Sequence, residues 1–108
     1  MANLDYTDKY VNAEFPLGMD FEPNLDDSET IDSTSDETEV TAKDNAGDDA
    51  TAILIAALST AVSDNGKILR AKVQAGTEAL SPYIITFKAY TTDDNIFEDK
   101  IKFLVRTS

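Results

Sequence analysis

Carboxylates are the plentiful reactive groups in this sequence: 21 Asp and Glu stand against 9 Lys and Arg, with no His and no Cys in 108 residues. The missing histidine removes the usual general base, the usual pH switch and the commonest metal ligand. The missing cysteine removes disulfides and thiolate zinc sites. Neither a Ser-His-Asp nor a Cys-His triad can be assembled from this chain alone. Carboxylates by themselves can hold hard cations or act in pairs on glycosidic bonds. The turn Asp44-Asn45-Ala46-Gly47-Asp48-Asp49 superficially resembles a calcium loop. An EF-hand loop, however, needs an oxygen ligand third, glycine sixth and a bidentate Glu twelfth. Ala46, Asp49 and Ile55 occupy those places, and the match fails. Asp26-Asp27-Ser28-Glu29 has the donors for a divalent ion but reads first as an acidic surface turn. Nothing in the spacing fixes a carboxylate pair at working distance, and so short a chain leaves little room for a substrate cleft. The four glycines, Gly18, Gly47, Gly66 and Gly76, are isolated, which excludes a phosphate-binding glycine loop. The chain reads as non-enzymatic, with no catalytic residue, cofactor or metal ligand assigned.

The elements that would carry any binding surface belong to one domain. A chain of this size buries roughly 65% of its unfolded surface, enough for one core. Its longest apolar run, Ala52 to Leu58, is too short to cross a membrane. Met1-Ala2-Asn3-Leu4-Asp5 lacks the basic start of a secretory signal, so a soluble protein made in a cytoplasm is expected. The formal charge is −12, unevenly spread. Residues 1–50 hold 15 acids and two bases, Lys9 and Lys43, whereas residues 51–108 hold six acids and seven bases. An acidic half repels phosphate, and the bases are too few for a nucleic-acid surface. Two readings of the acidity remain open: solubility, or steering toward a basic patch on a partner.

Three segments alternate apolar and polar residues with the period of half-buried strands. In Lys67–Ala75, Leu69, Ala71, Val73 and Ala75 share a face. In Tyr83–Thr91, Tyr83, Ile85, Phe87 and Ala89 do so, and in Phe97–Arg106, Phe97, Ile101, Phe103 and Val105. Such stripes belong to antiparallel sheets with one wet side. The aromatic residues on these faces read as core rather than as a sugar-stacking platform, and Tyr90, facing the other way, is a possible contact residue. Asn65-Gly66 signals a type I′ hairpin, and Thr92-Asp93-Asp94-Asn95 a polar tip joining the last two strands. Upstream, Thr30–Ser35 and Glu37–Lys43 read as short, wet strands at a sheet edge. Ala50–Ser63 suits a strand or a short helical turn better than a full helix. Residues 1–25 read as an extended arm, because Pro16 and Pro23 bar regular pairing. Five large apolar side chains between Phe15 and Leu25 are too many to leave in water.

Met19-Asp20-Phe21, followed by Asp26-Asp27-Ser28-Glu29-Thr30-Ile31, resembles the opening of small immunoglobulin-like virion proteins of tailed bacteriophages, described as fibre-to-tail adaptor or neck-associated. Val73-Gln74-Ala75-Gly76, Tyr83-Ile84-Ile85-Thr86-Phe87, Thr91-Thr92 and Ile101-Lys102-Phe103-Leu104-Val105 are similar in order and spacing to the last three strands of that family. The resemblance covers about residues 19–106. This chain departs from the family pattern in its lone Gly76, in the intervening Ala79-Leu80-Ser81-Pro82, and in a tip without glycine. What the resemblance implies is a virion component present in several copies around a symmetric ring.

The expectation is therefore an all-β protein: an immunoglobulin-like antiparallel β-sandwich of about seven strands over residues 26–108, with an extended arm over residues 1–25. The expected role is that of a small adaptor near the neck or tail of a virion assembled in a host bacterial cytoplasm. Its expected partners are portal, connector, tail or fibre subunits, with no nucleic acid and no membrane. Phe15, Leu17, Met19 and Phe21 are the expected partner-binding residues, docking the arm on a neighbouring subunit. The rival expectations are a capsid-surface decoration protein and a carbohydrate- or calcium-binding module.

Overall fold

The computed structural model describes residues 5–10 and 13–106. Within it the alternating segments lie where their period places them. β5 (Ile68–Val73), β6 (Tyr83–Tyr90) and β7 (Ile96–Arg106) are strands, and their inward residues form one core. Leu69, Val73, Tyr83, Ile85, Phe87, Ala89 and Phe103 have no exposed surface. Ala75 leaves its expected face: it turns into the left-handed region (φ 46°) and becomes exposed just before Gly76.

Two layers enclose this core. Antiparallel pairing joins β3 (Glu39–Lys43), β6 and β7 in one sheet, and β2 (Phe15–Asp20), β5 and β4 (Ala61–Val62) in the other. These six strands, not seven, form the antiparallel sandwich. β1 (Asp5–Tyr10) then extends the first sheet in parallel, pairing Asp5 with Ile101 and Tyr10 with Arg106. Lettered A to G in chain order, the sheets are CFG and BED with strand A moved to the outer edge of G, which is the immunoglobulin arrangement. Its usual corner is present too. Tyr83 opens β6, and its hydroxyl accepts the Thr77 N–H at 2.9 Å, six residues upstream.

β2 supplies one strand of the second sheet and β1 extends the first, so the expected boundary at residue 25 is replaced by a sandwich that begins in the segment read as an arm. Pro16 does not prevent this. β2 is an edge strand of its sheet, where a missing N–H removes no ladder bond on the open side. On β1, Lys9 lies in register with buried Val105 and is itself buried. Burial lowers its pKa, opposed by nearby Glu14.

The weaker expectations divide. Glu37–Lys43 contains β3 at a sheet edge, as read. Thr30–Ser35 is no strand: Ile31 alone bridges to Thr91, and the rest is turn. Ala50–Ser63 resolves into a single helical turn, α1 (Thr51–Leu54), then an Ile55 bridge to Val73, then β4. The Asn65-Gly66 hairpin exists but is wider than type I′. Ser63 N–H bonds the Ile68 carbonyl, and only Gly66 has positive φ (74°). The Ser81–Pro82 peptide bond is cis. No helix among the described residues is long and apolar enough to cross a membrane.

Replacing Tyr83 by Phe keeps the ring in the core and removes only the acceptor for Thr77. Tyr83→Phe should therefore cost about 1 kcal/mol in urea denaturation, with the folded spectrum unchanged.

Candidate interaction site

The chain's carboxylates converge at one end of the sandwich. The connections β2–β3, β4–β5 and β6–β7 all emerge there, as the B–C, D–E and F–G loops do in an immunoglobulin domain. Residues 20–38 supply eight acids and no base, and the two hairpins add Asp64, Asp93 and Asp94 against Lys67. Eleven of the protein's 21 carboxylates thus crowd one end.

Backbone hydrogen bonds stitch these loops together. Ile31 N–H bonds the Gly66 carbonyl (2.8 Å), Phe21 N–H that of Lys67 (2.9 Å), and Asp32 N–H that of Tyr90 (2.7 Å). Thr92 N–H bonds the Thr30 carbonyl at 2.9 Å, and Thr92 Oγ1 accepts the Thr30 N–H at 3.1 Å. The Lys67 ammonium donates to the carbonyls of Asp26, Asp27 and Glu29 at 3.1, 3.2 and 2.6 Å. Gly66 is obligatory here, because a Cβ would sit 2.6 Å from the Thr30 Cβ.

Glu29 is the joint between the loops. It is 1% exposed, and both of its carboxylate oxygens accept hydrogen bonds. Oε1 accepts the Asp26 N–H (3.1 Å), and Oε2 accepts the Thr91 hydroxyl and the Asn95 amide (2.9 Å). These bonds, Thr91 first and Asn95 second, hold its pKa below the ordinary carboxylate value against the opposing effect of burial. Carboxylate oxygens of Asp26, Glu29 and Asp93 lie within 4.8 Å of one another. With both Glu29 oxygens already bonded to the protein, the cluster works as a structural knot. The Asp44–Asp49 turn is closed in the same way: Asp44 Oδ1 accepts the N–H groups of Ala46 (2.9 Å) and Asp48 (3.0 Å). Tyr90, expected as a contact, donates its hydroxyl to Asp94 at 2.6 Å, which raises its pKa.

The four residues expected to dock on a partner lie elsewhere. Phe15, Leu17, Met19 and Phe21 follow one another on the inward side of β2 and its exit. Met19 and Phe21 are buried (8% and 2% exposed), and Phe15 and Leu17 pack against the same core. The Phe15 ring meets Phe103 at a centroid distance of 6.4 Å. Their hydrophobic surface is spent on the chain's own sandwich, which corrects the docking role. A solvent-open depression of about 360 Å³ beside the β4–β5 hairpin is lined by Val62, Ser63, Asp64, Asn65, Ile68 and Arg70.

No protein-family model, curated protein or solved structure matches this chain. By sequence Asp26-Asp27-Ser28-Glu29 reads as an acidic surface turn, and Glu29 becomes distinctive only beside Thr91 and Asn95, more than 60 residues away.

Two measurements follow from this geometry. Phe21→Ala should lower stability by about 3–5 kcal/mol in urea, as for an aromatic residue removed from a core. Glu29 should make stability acid-sensitive. Its folded pKa is depressed, so its contribution is complete above the unfolded value of about 4.3 and is lost as pH falls through the folded value. Asp32 and Asp49, lowered by hydrogen bonds from Thr34 and Thr51, act in the same direction. Glu29→Gln is expected to melt below the parent at about pH 7, with the gap closing below about pH 4. A gap independent of pH in circular-dichroism melts contradicts the assignment.

Proposed function

We propose that this chain is a non-enzymatic structural protein of a tailed phage virion, a small adaptor at the neck or tail. It docks on a ring of other virion proteins and helps attach fibres or complete the connector. The observation that carries the reading is the acidic loop end, where connections from both sheets are locked together around Glu29 and Lys67. Such a surface is ordered before a partner arrives, so little conformational freedom is lost on docking. Its carboxylates steer the domain toward a basic patch and fix its orientation there.

Placement in a virion is supported by the resemblance over residues 19–106. Two segments that carry it, Asp26–Ile31 and Tyr83–Phe87, build the acidic end and the strand with the tyrosine corner. The mechanism is passive attachment, with the acidic end in the role first given to Phe15, Leu17, Met19 and Phe21. Copies arranged around a ring would convert a weak single contact into firm attachment.

Electron cryo-microscopy of the intact particle tests this directly. The expected result is density for this sandwich in a ring at the neck or tail, with the Asp27 and Asp93 loops against a basic surface. An icosahedral copy number would instead make it a capsid-surface decoration protein, and absence from purified particles would remove the virion assignment.

A further inference from the structure

We infer that the Asn65–Gly66 hairpin is a self-modification site, at which the Gly66 backbone nitrogen attacks the Asn65 side-chain amide and releases ammonia. This goes beyond the virion reading and does not depend on it. Asn65 is the only asparagine in the chain that precedes a glycine, and it is exposed. A side chain on the following residue hinders the approach of its backbone nitrogen, and glycine removes that hindrance. The fold cannot exchange this glycine, because at φ 74° a Cβ would sit 2.6 Å from the Thr30 Cβ.

The hairpin also activates the amide that is attacked. Asn65 Oδ1 accepts the Ser63 hydroxyl at 2.6 Å and the Lys67 N–H at 3.2 Å. The second bond folds the carboxamide back over the Gly66 peptide, toward the nitrogen that must reach Cγ. Both bonds draw electron density from Cγ, and both are in place for the negative charge that Oδ1 acquires as the nitrogen adds. Two donors aimed at a developing oxyanion are the arrangement that lowers barriers to acyl transfer. Asn45 and Asn95 are bonded the other way round. Their amide nitrogens donate, Asn45 to the carbonyls of Ala79 and Ser81 and Asn95 to the Glu29 carboxylate, which holds the group that must leave. What restrains Asn65 is that Gly66 is buried and its N–H bonds the Ser63 carbonyl at 2.8 Å. That bond opens before hydroxide or water takes the proton, so the reaction speeds up as pH rises.

The step balances with water as the only co-reactant. The bond from Gly66 N to Cγ forms, the Cγ–Nδ2 bond breaks, and Nδ2 leaves as ammonia with a proton replacing the one lost from Gly66. The product is a five-membered cyclic imide, and water then opens either of its carbonyls. Opening at Cγ leaves an ordinary aspartyl residue, whose carboxylate still accepts from Ser63 and Lys67. Opening at the backbone carbonyl leaves a β-linked residue, with one more carbon in the main chain of the hairpin. Either product adds a twelfth carboxylate to the eleven at the loop end. The β-linked product also shifts Gly66 and Lys67, whose carbonyls hold Ile31 and Phe21 and whose ammonium holds the Asp26–Glu29 turn. A change at one bond thus loosens the acidic loops from one another.

Incubation of the full chain in mildly alkaline buffer, followed by peptide mapping and labelling with an isoaspartyl methyltransferase, tests the proposal. Both products are expected at position 65, ahead of any other asparagine, at a rate that rises with pH. Ser63→Ala gives the decisive sign. It removes one oxyanion donor and should slow the folded chain about fivefold, the size of one hydrogen bond, and Ser63→Thr should restore the rate. Ser63 Oγ also accepts the Ile68 N–H at 3.1 Å, and a residue that merely braces the hairpin predicts the opposite, since its loss loosens the loop and speeds attack. In urea, where no hairpin exists, parent and variants should react alike. Unchanged circular-dichroism spectra verify that the variants fold. The proposal is overturned if position 65 stays intact in the folded chain while the unfolded chain is converted. A Ser63→Ala chain that reacts as fast as the parent or faster overturns it too. Neither failure bears on the virion reading, which absence from purified particles removes.

Discussion

A carboxylate withdrawn from water stays ionised only if the protein supplies the donors that water supplied. Glu29 receives them from three places: the backbone of its own turn, the hydroxyl of Thr91 and the amide of Asn95. Those donors come from opposite parts of the chain, so satisfying one side chain fixes the β2–β3 connection against the β6–β7 tip. Lys67 performs the reciprocal task from the β4–β5 hairpin, spending its ammonium on three carbonyls of the same turn. Three loops that would otherwise fray independently become one body. The acids around them then project from a fixed frame instead of averaging over conformations.

That frame explains how the chain tolerates its charge. Crowding eleven carboxylates at one end raises repulsion there, and the ion pairs Lys72–Glu14 and Lys100–Glu98 lie away from that end. Exposed pairs of this kind contribute little in any case. The fold is held by its interior, where Tyr83, Phe21, Phe87 and Phe103 are sealed between the sheets. Each such side chain contributes about 1.5–3 kcal/mol by leaving water. Stability and surface charge are thereby separated: the core supplies the first, and the loops are free to hold charge for another purpose.

The same separation decides how much could be read from sequence. β5, β6 and β7 are half-buried antiparallel strands, and period-two alternation reports that geometry directly. β2 carries the same signal, since Phe15, Leu17, Met19 and Phe21 alternate with Pro16, Gly18 and Asp20. Pro16 argues against a strand there, yet proline excludes only the interior of a sheet and leaves an edge available. β1 offers less: Asp5–Tyr10 is largely polar, and its parallel pairing depends on a strand nearly a hundred residues away. The site was the least legible part. In the run Asp26-Asp27-Ser28-Glu29 nothing local distinguishes the buried Glu29 from its exposed neighbours. Only the fold brings Thr91 and Asn95 to it.

The edges of the two sheets bear on where a partner can attach. Strand addition needs a run of open N–H and C=O groups. β2 interrupts its run with Pro16. On β3, the outward groups of Ala42 are already used: its carbonyl accepts the Ala50 N–H (2.8 Å), and its N–H donates to Thr51 Oγ1 (2.9 Å). β4 is two residues long, and the chain bulges outward just before it, with Leu58 in the left-handed region (φ 59°) and wholly exposed. A bulge and a short strand both discourage edge-to-edge pairing. These three edges are thus poor templates for strand addition, which leaves β1 as the fourth edge strand of the two sheets.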